Sequence, residues 1–162
     1  MVVMEHPESQ LIRNEWIIRK LDLPPEVTLT RRSLLRWFAL SMGLISPNES
    51  RDTVLDILDG LFVFWFSKNT SPSTLELQAF LKEKTGETVS DKLLLYHLKR
   101  LSNLGLLSRK NKKYFLNSSP NANPTDFSAA LNYWFTNPAS GSLKEIENTS
   151  QKLAEMYKQN PQ

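Results

Sequence analysis

Residues 85–116 read TGETVSDKLLLYHLKRLSNLGLLSRKNKKYFL, a cap, one amphipathic helix and a short basic hairpin in succession. Ser90 suits an N-cap, because its hydroxyl can accept from a free backbone N–H of the first turn. Leu94, Leu98 and Leu101 recur at i, i+4 and i+7, the apolar stripe of a helix lying on a core. Gly105 ends that helix, since glycine enters the left-handed C-cap conformation without a Cβ penalty. Leu106 and Leu107 open an extended run, Lys110, Asn111 and Lys112 turn it, and Tyr114, Phe115 and Leu116 return.

Counting 100° per residue from Leu94, the outward stripe carries Lys92, Tyr96, Lys99 and Asn103, with Arg100 at its border. Charge concentrates in the same stretch. Residues 90–116 hold 7 Lys and Arg against 1 Asp, whereas residues 1–89 hold 10 against 12 acids and residues 117–162 hold 3 against 4. The net +3 therefore comes entirely from the helix and hairpin, which is the electrostatic footprint of phosphate binding. Lysine, arginine and asparagine can donate to base edges, and a tyrosine can pack on a thymine methyl or a sugar. Ser90 and the helix N-terminus offer hydrogen bonds to a phosphate. Arg109, Lys110, Lys112 and Lys113 suit the backbone or an adjacent minor groove. Two features oppose this: Asp91 puts an anion in the first turn, and Leu93 and Leu95 flank the stripe as an apolar surface that suits a protein interface.

The segment YHLKRLSNLGLL at residues 96–107, followed by RKNKKYFL at residues 109–116, resembles the recognition helix and wing of winged helix-turn-helix domains. It closely resembles the ArsR-like and MarR-like transcriptional regulators of bacteria and archaea, over residues 51–116. The resemblance implies a helix that enters the DNA major groove and a wing on the backbone. It specifies a fold more than a function, because folds host many functions. The chain has no cysteine and only His6 and His97, which departs from the metal-responsive ArsR-like proteins.

Elsewhere the spacing predicts further helices. Leu11, Ile12, Trp16, Ile17, Ile18, Leu21 and Leu23 fit a helix over residues 9–23, stopped by Pro24 and Pro25. Thr30 caps a second one, with Leu34, Leu35, Phe38, Ala39 and Met42 on one face and Gly43 at its end; its Arg31, Arg32 and Arg36 read as the wet side. Ser50 caps a third, with Asp52 in its first turn. Its Val54, Leu58, Leu61, Phe62 and Trp65 make it the central buried helix, and the aromatics Phe62, Phe64, Trp65 and Phe66 are core. Ser73 with Glu76 forms a capping box for a fourth, whose Leu77, Phe80 and Leu81 face inward and which Gly86 ends.

Residues 117–124, NSSPNANP, read as a linker. Phe127, Ala130, Leu131 and Trp134 suit a short helix, broken at Asn137-Pro138 and Ser140-Gly141. Ser142 with Glu145 then caps a last helix. There Leu143, Ile146, Ser150, Leu153 and Tyr157 follow at spacings of 3, 4, 3 and 4, either a coiled-coil seam or a helix folded back on its own domain.

The expected fold is mainly α with a small β-hairpin wing: a helical extension over residues 1–47, a winged helix-turn-helix domain over 48–118, and C-terminal helices over 119–162 that can dimerise. Hydrophobic content of 40% is enough for a packed core. The absence of cysteine excludes disulfides, thiolate metal sites and cysteine nucleophiles. The N-terminal MVVMEHPESQ lacks the basic and apolar regions of a signal peptide, and the longest apolar run, residues 61–66, is too short for a bilayer, so a cytoplasmic location is expected. No phosphate loop, paired-histidine motif or nucleophile with a base is present, so no catalytic residue, cofactor or metal is expected, and His97 reads as structural. The expected function is double-stranded DNA binding by a homodimeric regulator without membrane contact. The alternative is a winged-helix protein-interaction module in a larger assembly, its basic wing meeting an acidic partner or RNA.

Overall fold

Thr30 accepts a hydrogen bond from the Ser33 backbone N–H and so starts helix α2, Arg31–Ser41, in the first of two compact units, Met1–Asn48 and Glu49–Gln162. The structure is a computed structural model that describes residues 7–48 and 52–160. Its helices far outweigh one two-stranded antiparallel sheet, the only sheet among the described residues.

In the first unit the expected helix over residues 9–23 is corrected. Only α1, Pro7–Leu11, is helical, and residues 12–24 carry no regular structure before a 3-10 turn at Pro25–Leu29. The reason is a tertiary competitor. Arg19 donates its backbone N–H to Ser41 O at 2.9 Å, and its guanidinium donates to Leu40 O at 2.7 Å and Ile45 O at 3.0 Å. The last carbonyls of α2 lack intrahelical donors and sit at the negative end of its dipole, so a passing arginine satisfies them. Ile17 closes on Gly43, where a Cβ would come within 2.7 Å of the isoleucine, and the φ of +70° there also favours glycine. In α2, Leu35 and Ala39 are buried as expected, but Leu34 is exposed.

The second unit begins with α3, Thr53–Phe62, in which seven residues from Val54 to Leu61 are buried, the expected central helix. The cap expected at Ser50 lies outside the described residues; Asp52 occupies the N-cap position. The helix widens into a π turn, Val63–Ser67, that buries Phe64 and Trp65, while Phe62 and Phe66 are half-buried and pack on Phe127, the first edge-on and the second tilted. Helix α4, Thr74–Thr85, opens on the expected capping box of Ser73 and Glu76 and ends at Gly86 with φ +77°. Helix α5, Asp91–Leu104, and strands β1, Leu107–Lys110, and β2, Lys113–Leu116, follow. Helices α3, α4 and α5 touch one another in pairs, and β1 packs on α5.

Lys84 of α4 donates to the buried carboxylate of Asp59 on α3 and lies 3.9 Å from Asp56 Oδ1. Replacing Lys84 with methionine keeps the stem and removes that cation from Asp59. A loss of about 1–3 kcal/mol is expected, the cost of leaving a buried acceptor without its partner, toward its lower end because Lys84 is one-third exposed. An unchanged urea midpoint would mean that solvent already screens the pair.

The C-terminal part holds the second correction. Helix α6, Phe127–Leu131, is capped by Asp126 and continues through a π turn, Asn132–Thr136, into α7, Asn137–Gln159, without a break. Pro138 was expected to end the helix, but the turn before it is wide, with Asn137 N–H bonded to Asn132 O five residues back, and this relieves the clash of proline with the preceding turn. Ser140, Gly141 and the expected Ser142–Glu145 cap therefore lie inside a helix, where one glycine costs about 1 kcal/mol relative to alanine. No residue of α7 is buried.

Candidate nucleic-acid interface

Helix α5 is held by its apolar face. Leu94, Leu98 and Leu101 are buried, Ser90 accepts from Leu93 N–H at 3.2 Å, and Gly105 at φ +100° closes the helix. Gly105 has a second role, because a Cβ there would meet the Trp134 ring at 3.1 Å. The half-turn between α4 and α5 is fixed by side chains. Gln78 of α4 donates to Val89 O at 3.2 Å and to the carboxylate of Asp91, and Thr85 Oγ1 accepts from Glu87 N–H at 3.2 Å.

With α5 held in this way, Lys92, Tyr96, Lys99 and Asn103 are all exposed, and Arg100 is half-buried at their border. The stripe rises about 16 Å along the helix. Leu93 and Leu95 flank it at 39% and 43% exposure. His97 lies half-buried on the same helix with its ring edge-on to Tyr96 at 5.2 Å. Asp91, the anion expected to repel phosphate, is hydrogen-bonded to Gln78 instead of standing alone at the helix end.

The hairpin pairs Leu107 with Leu116, Ser108 with Phe115, Arg109 with Tyr114 and Lys110 with Lys113. Asn111 and Lys112 make the turn with φ of +53° and +62°, both in the left-handed region as a type I′ hairpin requires. Asparagine tolerates that region. Lysine does not, at a cost of roughly 1–3 kcal/mol, so Lys112 keeps a charge at the tip at the expense of hairpin stability. Tyr114 N–H donates to Pro72 O at 2.8 Å, Trp65 Nε1 donates to Tyr114 O at 3.0 Å, and Asn117 Nδ2 donates to Gly105 O at 2.9 Å. The hairpin is thus tied to the π turn after α3, to the entry of α4 and to the end of α5. Arg109, Lys110, Lys112 and Lys113 are all exposed, and the Arg109 guanidinium lies 5.8 Å from the Tyr114 ring centre.

Ser90 opens α5 and the hairpin follows its closing end in the chain, the helix itself spanning about 20 Å. Gln78, Trp65, Pro72 and Asn117 were not foreseen as supports of this surface. Their partners are 11 to 49 residues away, so no local pattern announces them. Among the described residues, no group of three metal-ligating side chains comes together and no helix is long and apolar enough to cross a membrane. The chain matches no protein-family model, no curated protein and no solved structure.

Proposed function

We propose that this chain is a double-stranded DNA-binding protein with a winged helix-turn-helix, acting as a homodimeric transcriptional regulator in the cytoplasm. The order of α3, the Ser73–Lys113 bridge, α4, a turn, α5 and the hairpin supports that architecture. The observation that carries the function is the concentration of exposed cations on one helix stripe and one hairpin, in a chain otherwise slightly acidic. In this reading Lys92, Tyr96, Lys99, Arg100 and Asn103 approach base edges, while Ser90, Arg109, Lys110, Lys112 and Lys113 contact phosphates. Random-sequence duplex titrated against salt is the test. A log K against log salt slope of about −4 or steeper is expected, corresponding to four or more neutralised phosphates. A slope near zero, or no binding at low salt, sinks the proposal.

A second reading is favoured by Leu93 and Leu95, which expose apolar surface beside the stripe. In it the domain is a protein-interaction module, and the basic wing meets an acidic partner or RNA. Duplex affinity would then be weak, sequence-blind and gone at physiological salt.

A further inference from the structure

The hairpin has two faces. Leu107, Tyr114 and Leu116 turn one of them to the core and are buried, whereas Ser108, Lys110, Lys113 and Phe115 share the other and are exposed. That outer face floors a cavity of about 880 Å³, walled by the loop at residues 69–71 and by residues 117–125, the expected linker. Among the described residues, no Asp or Glu lines it and Lys110 is the lining cation, with Lys113 directly opposite in the register. Phe115, 38% exposed, supplies an accessible ring. Thr70, Ser71, Ser108, Ser118 and Ser119 also line the cavity, and none of their hydroxyls hydrogen-bonds to another described residue. Ser71, Ser118 and Ser119 are half-buried. A half-buried hydroxyl without a protein partner bonds to whatever fills the space beside it.

We propose that this cavity holds one unpaired nucleotide, its base on Phe115, its ribose among Ser71, Ser118 and Ser119, and its phosphate at Lys110 and Lys113. Spacing carries the proposal. Phe115 and Lys113 are two residues apart on one strand, about 7 Å, and Lys110 lies across from Lys113. One ribose sets a base and its 5′-phosphate a comparable distance apart. Phosphate alone would leave the ring and the hydroxyls unused, and an apolar ligand would cover those hydroxyls without bonding to them. A base within a duplex does not reach this site, because its faces are already stacked on its neighbours. The ligand is therefore a free nucleoside monophosphate or an unpaired nucleotide of a single strand, distinct from the duplex proposed for α5.

Calorimetric titration of the full-length chain with adenosine 5′-monophosphate, adenosine, ribose 5-phosphate and a single-stranded oligoadenylate tests this. The monophosphate or the strand is expected to bind, and Phe115→Ala to weaken it about five- to hundredfold, the worth of stacking one base. Phe115→Trp keeps a stacking ring at the same place in the wing and is expected to retain binding. Lys110→Gln with Lys113→Gln is expected to bring the monophosphate down to the affinity of adenosine. Binding of the monophosphate identifies a free nucleotide as the ligand; binding of the strand alone identifies a nucleotide within a polymer. The proposal is overturned if neither binds at millimolar concentration, or if ribose 5-phosphate binds as tightly as the monophosphate. Parent affinity in Phe115→Ala overturns it too, as does an equal loss in Phe115→Trp and Phe115→Ala. Duplex is titrated separately, and absent duplex binding beside intact nucleotide binding removes the regulator reading alone.

Discussion

Leu98→Ala is expected to lower the unfolding free energy by about 2–5 kcal/mol, whereas Leu95→Ala on the same helix should change it by only about 0.5 kcal/mol. Leu98 is 1% exposed on α5, which touches α3, α4 and β1, so truncation removes apolar burial and leaves a cavity that three fixed partners cannot fill. Leu95, three residues back, points away from that core and leaves water in its place. The comparison measures the rotation of α5 directly. Denaturant melts followed by circular dichroism give both numbers, and equal losses would mean that the outward stripe contains different residues. The proposed DNA contacts would then move with it.

The wing carries the second large effect. Changing Arg109, Lys110 and Lys113 together to glutamine should flatten the slope of log K against log salt by about 3 units, since each phosphate contact contributes about 0.9. Extrapolated from molar to physiological salt, that is roughly a hundredfold loss of duplex affinity, equal for every sequence. Lys99 and Tyr96 should behave differently. Alanine there should reduce the preference for a selected site over random duplex by about 1–3 kcal/mol, the worth of a good base contact, while leaving much of the salt slope in place. Leu95→Gln should alter neither quantity if α5 reads DNA. A triple wing variant with the parent slope would remove the regulator reading and leave the protein-interaction module in its place.

Much of the second unit was legible from local chemistry. The Ser73–Glu76 box, the Ser90 cap, the left-handed glycines at 86 and 105 and the stripe of Leu94, Leu98 and Leu101 each act within one or two helical turns. A residue's neighbours in the chain are then its partners in space, and the helical period alone turns Lys92, Tyr96, Lys99 and Asn103 outward. The hairpin was legible for the same reason, its turn lying between two short apolar runs.

Three features were decided only by tertiary structure. Residues 12–24 have helical spacing but remain irregular, because Arg19 finds the open carbonyls at the end of α2, 21 residues on. Pro138 and Gly141, ordinary helix breakers, lie inside a continuous helix, because the π turn before them widens while its Trp134 is held against Gly105. The setting of the candidate interface depends on Gln78 with Asp91 and on Trp65 and Pro72 with Tyr114. In each case the deciding partner lies many residues away, and a hydrogen bond or close approach at that range leaves no periodic trace in the chain. Composition and period determine which residues of α5 and the hairpin face outward; long-range packing determines what holds them there.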